Sequence, residues 1–184
     1  MRANRNNYEI IVTETKSRYW KKLAFDSTVR FNSNVSDLNS YLMEHSPIRV
    51  EEYCIQMKNI PVFVSTHFVR HTQGNNPYLL TQRDDRNGMD HDGRWEATNH
   101  TVFINAEALI NRSAKRLCLK THKETVYIMK LIKKEIEKIN PDLAMCMVPT
   151  CVRRNGLCPE LKNTCGYKKE IMEKYSYYKE LFDV

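Results

Sequence analysis

Pro61-Val62-Phe63-Val64-Ser65-Thr66-His67-Phe68-Val69-Arg70-His71-Thr72-Gln73-Gly74-Asn75-Asn76-Pro77-Tyr78-Leu79-Leu80-Thr81-Gln82-Arg83 joins an apolar helical pattern to a basic turn. Proline suits the first position of a helix, and Val62, Phe63, Thr66 and Val69 can then turn one side toward a core. His67, Arg70 and His71 stand at i, i+3 and i+4, so they leave the helix together as a cationic patch. The helix must give out before Pro77, which makes Gly74-Asn75-Asn76 a loop with free amides. Arg83 returns a fixed positive charge beyond it. Guanidinium supplies paired donors and imidazole adjustable ones, an arrangement suited to a phosphate or a polar ring. The alternative is a surface helix with three solvated basic residues.

Upstream, Tyr8-Glu9-Ile10-Ile11-Val12 reads as a strand, rich in β-branched residues. Lys16 to Asn34 is mixed and carries no decisive period. Ser36 is an N-cap for a helix bearing Leu38, Tyr41 and Leu42, expected to stop near His45 because Pro47 follows. Glu52 to Met57 alternates, with Tyr53, Ile55 and Met57 on one face of a strand. Downstream, the polar stretch Asp84 to Asn99 reads as a loop. Its acidic cluster fits no calcium-loop spacing, so a solvated loop is preferred to a metal site.

From Thr101 to Leu119, Ala106, Leu109, Ile110, Ser113 and Leu117 recur at helical spacing. His122 to Asn140 is a longer helix with Ile128, Ile132, Ile136 and Ile139 in a stripe and Pro141 as its stop. That stripe serves either the core or a subunit interface.

These segments together resemble the flavin-dependent thymidylate synthases. Arg70-His71 matches the start of that family's R-H-R-x-x-S-x-N-E-x-S-x-R signature, with Thr72 in place of the third basic residue and no clear counterpart of the Asn-Glu pair. With one extra loop residue, Thr81-Gln82-Arg83 falls on the final S-x-R. Tyr41 to Pro47 resembles the segment leading to a Thr/Ser-Pro-Phe-Glu-His motif, where Ile48-Arg49-Val50-Glu51 replaces the last three residues. Ile104-Asn105-Ala106-Glu107-Ala108-Leu109-Ile110-Asn111, then Arg116, then Glu124 is similar to Val-Asn-Ala-Arg-Ser-Leu-x-Asn, Leu-Arg and Gln-x-Glu without gaps. Glu107 stands where the family has an arginine, a charge reversal beside a pyrophosphate.

The resemblance spans roughly Leu38 to Pro141 and implies an α+β fold, a sheet packed against long helices, in a homotetramer whose sites form between subunits. It implies FAD as cofactor, NADPH and methylenetetrahydrofolate as co-substrates, and a pyrimidine deoxynucleotide such as dUMP as substrate. Carried over by position, Ser46, Arg70, His71, Asn105 and Asn111 would hold flavin. His67, Arg83 and Arg116 would hold the nucleotide, with Thr81 and Arg116 at the reacting base. The region after Arg83 looks short for the family, and Arg94 would stand in for a missing substrate-binding arginine. The other reading is a fold relative that has lost flavin chemistry and binds a nucleotide, nucleic acid or protein partner, and Thr72 and Glu107 favour it.

Cys146, Cys151, Cys158 and Cys165 lie among Pro149, Gly156, Pro159 and Gly166. Four thiolates in a turn-rich stretch suit a structural zinc or an iron–sulfur cluster, although the gaps are not paired C-x-x-C knuckles; free thiols, or a redox pair or disulfides, are the alternatives. This divides the chain into a synthase-like domain, 1–145, and a Cys-rich extension, 146–184, packed on the same domain. The tyrosines of a last helix, Lys169 to Phe182, are assigned to packing.

A chain of 184 residues accommodates one domain with a proper core. Its composition, 41% hydrophobic and 28% charged, is that of a soluble globular protein. No apolar run approaches the ~18 residues of a membrane span, and no signal-peptide core follows Met1. The cytoplasm is therefore the expected location. A net charge of +7 points to anionic partners, and because the cations are spread along the chain a nucleotide pocket explains them as well as a nucleic-acid groove.

Overall fold

Alternation along Glu52 to Met57 does produce a strand, and it runs on to Pro61. In the computed structural model, which describes residues 1–16, 18–28, 35–70, 73–80, 84–87, 91, 93–160 and 162–182, the regular elements follow in this order. They are β1 (Glu9–Lys16), α1 (Arg18–Thr28), α2 (Asp37–Leu42), a 3-10 turn (Ser46–Arg49), β2 (Glu52–Pro61), α3 (Val62–Val69), β3 (Asn75–Leu79) and α4 (Asp84–Asn87). After a second 3-10 turn (Gly93–Trp95) come β4 (Ala97–Asn105), α5 (Ala106–Arg116), α6 (Lys123–Ile139), α7 (Pro141–Cys146), α8 (Thr150–Arg153), α9 (Lys168–Lys174) and α10 (Tyr177–Glu180). The fold is thus a mixture of helices and one antiparallel sheet. Proximity of Cα atoms divides it into two units, Met1–Phe31 with Ser46–Ala108, and Asn32–His45 with Leu109–Val184. The boundary expected at 145/146 lies inside the second unit.

In the first unit the sheet has the order β1-β2-β4-β3, antiparallel throughout. Tyr53 pairs with Ile104, Ile55 with Val102 and Met57 with His100, and this row of one face is buried. The alternation breaks after Met57 because the register shifts between Met57 and Ile60. Asn59 takes a positive φ of 59° there, which asparagine tolerates, and its N–H donates to Asn99 Oδ1 at 3.1 Å.

Two strands correct the expected loops. β3 occupies residues assigned to the Gly74-Asn76 loop, with Pro77 opposite Val102; a proline is accommodated because β3 is an edge strand. β4 begins inside the stretch assigned to a loop. Its buried face carries Thr98 and His100 as well as Val102 and Ile104, so polar residues mask the apolar alternation.

α1 covers much of the unassigned stretch and buries Lys21 and Phe25 one turn apart. Lys21 is held by Glu51 at 3.1 Å, with the two side chains 4% and 0% exposed, and Tyr53 donates its hydroxyl to the same carboxylate. A buried ion pair of this kind survives only when hydrogen bonds compensate its lost hydration.

The second unit is helical. Ser36 Oγ caps α2 by accepting from Asn39 N at 3.2 Å, as its sequence pattern requires, and the helix ends at Leu42. On α6, Ile128, Ile132 and Ile136 are fully buried, so the stripe is core; each contributes roughly 1.5–3 kcal/mol through burial. Asn140 ends α6 and starts α7: its Oδ1 accepts from Leu143 N at 3.0 Å and its Nδ2 donates to Tyr41 OH at 2.7 Å. Pro141 thus stops one helix and opens the next.

The expected last helix is two short ones, α9 and α10, with a break at Tyr175-Ser176. Tyr175 and Tyr178 pack with Val148, Val152 and Ile171 in a small core that Cys151, Cys165 and Leu42 border. Packing is therefore the tyrosines' role. Among the described residues no helix is long and apolar enough to cross a membrane.

Candidate functional site

α3 follows directly from β2 because Pro61 ends the strand and serves as N-cap. Phe63, Val64 and Phe68 turn inward with Ser65, whose Oγ lies 3.0 Å from His100 Nδ1. The inward face differs from the one expected: Thr66 is exposed and its hydroxyl returns to Phe63 O at 2.8 Å, while Val62 and Val69 are half-buried. His67 is half-buried against the edge of Phe63, with ring centroids 5.9 Å apart. Arg70 caps the helix and is exposed.

Arg94 stacks on the same Phe63, its guanidinium carbon 4.6 Å from the ring centroid, and Trp95 closes the cluster at 5.0 Å. The structure therefore brings His67 and Arg94 to one aromatic ring, although 27 positions separate them. His71, Thr81 and Arg83 lie outside the described residues.

Gly74 approaches Asn105 closely. It holds φ at +66°, accepts from Asn105 N at 2.9 Å, and a Cβ on it would stand 2.5 Å from Asn105 Nδ2. Asn105 ends β4 and caps α5, its Oδ1 accepting from Ala108 N at 2.8 Å, so its Nδ2 is left to donate elsewhere. Asn75 beside it is 8% exposed, and neither polar atom of its amide has a partner among the described residues. A buried amide left without bonds is costly unless something brought to the site satisfies it. The sequence pointed to Asn75 as a ligand-holding residue of an open loop; the structure places it instead at the buried start of β3.

Ser46 is exposed at the start of the 3-10 turn. Three residues on, Arg49 forms a bidentate pair with Glu107, Nε at 2.7 Å and Nη2 at 2.9 Å from the two carboxylate oxygens. Counting on from Ser46-Pro47, Arg49 takes the place of the glutamate in the Phe-Glu-His motif, as Glu107 takes the place of an arginine. The two departures from the motif meet in this chain as an ion pair. The hydrogen bonds and charge of Glu107 raise the Arg49 guanidinium above its ordinary value. Behind the turn, Glu51 O accepts from Ala106 N at 3.0 Å and fixes the start of α5.

In the second unit, Asn111 is exposed and accepts from Arg153 Nη1 at 3.2 Å, while Arg153 also pairs with Glu44. Arg116 is half-buried, and the neighbouring Arg112 is buried at 1% exposure. Burial, aided by the charge of Arg116, lowers the Arg112 guanidinium to about 10. Arg112 lies inside the stripe of Leu109, Ser113 and Leu117, and that position was the sign by which it could have been found.

Cys151, Cys158 and Cys165 are half-buried. Cys146 is buried, and desolvation pushes its thiol up to about 12. Cys151 is also raised, by burial first and then by the nearby Cys118 and Cys158. Cys165 borders the tyrosine core. Among the described residues no group of three or more His, Cys, Asp or Glu side chains is placed to hold a metal ion.

No family model matches the chain, and no curated protein matches it in sequence. Solved structures do match. The UMP/dUMP methylase PolB from Streptomyces cacaoi, bound with 5-Br dUMP, superposes with a TM-score of 0.58 at 13% identity, over 79% of this chain and 95% of that one. Thymidylate synthase X from Helicobacter pylori, with FAD and dUMP, superposes with a TM-score of 0.60 at 12% identity, over 76% of this chain and 99% of that one. Nearly the whole of each neighbour finds its counterpart here, while part of this chain lies outside the match. At such identity the likeness is one of fold, and the fold of this chain is that of thymidylate synthase X.

Proposed function

We propose that the chain is a flavin-dependent methylase of a pyrimidine nucleotide, of the thymidylate synthase type, acting on dUMP or a close relative. The observation that carries this reading is the fold, shared over nearly the full length of one structure holding FAD and dUMP and one named for methylating UMP and dUMP. When bound, FAD would supply hydride, with the methylene group coming from methylenetetrahydrofolate and NADPH restoring the reduced cofactor.

The residues present fit such a cofactor. Asn105 keeps its amide NH2 as donor after its oxygen caps α5, Asn75 has a buried amide to satisfy, and Ser46 and Arg70 offer an exposed hydroxyl and cation. The Arg49–Glu107 pair removes the objection that Glu107 would repel a pyrophosphate. Asn111 would donate to the cofactor, and His71 would join Arg70 on it. His67, Arg83, Arg94 and Arg116 would hold the nucleotide, with Arg116 polarising the base near Thr81. Each acts by orienting and polarising bound groups. Exposed Tyr19, Trp20 and Leu23 on α1 support self-association, with a homotetramer as the assembly, and the cytoplasm as the place of work.

The test is the visible absorbance of the purified chain with FAD, followed by titration with dUMP. A flavin band that responds to dUMP is expected, and Arg70→Ala should weaken FAD binding about tenfold or more without lowering Tm, the loss of a charged hydrogen bond. No flavin bound at saturating FAD would refute the reading in favour of a non-catalytic relative that binds a nucleotide or another partner.

A further inference from the structure

α6, α7, α9 and the turn into α10 border an open concavity of about 460 Å³ within the second unit. It is lined by Lys130, Lys133, Lys134 and Lys174 together with one acidic residue, Glu137, and by Tyr175 and Tyr177 on the aromatic side. Lys130 stands i, i+3 and i+4 to the other two α6 lysines, a spacing that places like charges side by side and weakens the helix. Such convergence is tolerable in water at a convex surface. Around a concavity, it creates a positive field that an anion would relieve.

Lys133 is the organised member of the group. Its Nζ donates to Met147 O at 3.0 Å and to Tyr177 OH at 3.1 Å, and lies 5.2 Å from the Tyr175 ring centroid. An ammonium has three donors, so one remains after these two bonds. Lys174 approaches the same Tyr175 ring at 5.9 Å. The volume is that of a small-molecule site, too small for a folded partner.

We propose that this cavity binds an oligophosphate, a chain of linked phosphates either free or carried by a nucleoside. Four ammonium groups match several phosphate oxygens, and the half-buried Lys133 supplies a fixed donor at the floor. The site goes beyond the methylase reading and uses none of its residues.

The pH dependence has a definite sign. Burial lowers the Lys133 ammonium to about 8, with Glu137 and Cys146 raising it and Lys174 lowering it further. Lys130, Lys134, Tyr175 and Tyr177 complete the groups facing it. Affinity is therefore full below about pH 8 and falls as pH rises through it, when the third donor charge is lost.

The experiment is calorimetric titration of the full chain with inorganic triphosphate and, separately, with a nucleoside triphosphate, each repeated with dUMP present. Saturable binding that survives dUMP and weakens above pH 8 is expected. In Lys130→Gln/Lys134→Gln/Lys174→Gln, all three positions being exposed, affinity should fall about 100-fold or more while the ligand-free Tm holds or rises. Equal binding of the two ligands would assign the site to the phosphate chain itself, and tighter binding of the nucleoside form to a base on the tyrosines; both support the proposal. No binding of either, binding unchanged in the triple variant, or binding only of single-stranded oligonucleotides would overturn it.

Discussion

Replacing Lys21 with methionine removes one half of a buried ion pair and leaves the Glu51 carboxylate, 0% exposed, without its cation at 3.1 Å. Breaking a buried pair from one side costs about 3–5 kcal/mol, because the remaining charge keeps its desolvation penalty and loses its attraction. For a chain of this size each kcal/mol lowers Tm by about 2–4 °C, so Lys21→Met should melt roughly 6–20 °C lower, read by circular dichroism. The paired variant Lys21→Met/Glu51→Gln removes both charges while a side-chain oxygen remains to accept from Tyr53. Its loss should be smaller than that of the single variant, as expected for partners in contact. Lys22→Met, which breaks an exposed pair with Asp26, serves as control and should change little. A single-variant loss below about 1 kcal/mol, or a double-variant loss equal to the sum of both singles, would refute the argument that this pair is isolated from water.

Asn140→Ala should cost about 2–4 kcal/mol in urea unfolding, since it deletes the cap on Leu143 N and the buried hydrogen bond to the Tyr41 hydroxyl. A loss near zero would mean that water replaces the amide. Gly74→Ala forces a side chain into φ +66° and against Asn105, so it should cost about 1–3 kcal/mol and weaken FAD binding; unchanged FAD titration would separate Asn105 from the cofactor.

The sequence by itself determined the elements whose evidence is local. Ser36 capping α2, the isoleucine stripe of α6, the stop at Pro141 and the alternation of Tyr53, Ile55 and Met57 all rest on neighbours within a turn or a pleat. The ungapped run from Asn105 to Glu124 likewise located the polar positions of α5, whereas Thr101 to Asn105, expected within the same helix, end β4; the fold the resemblance implied is the one observed.

Other features depend on contacts across the chain. β4 places His100 and Thr98 on a buried face, where Ser65 on α3 meets the His100 ring. β3 contains Pro77 and becomes a strand only because β4 lends it hydrogen bonds along one edge. Glu107 read as an unbalanced reversal until Arg49, 58 positions away, closed on it. Lys21 with Glu51, and Lys133 with Tyr177, join charges to partners that no local period links. A helix or strand period reports which side of an element is apolar, whereas the fate of a buried charge is set by the partner that tertiary folding brings to it.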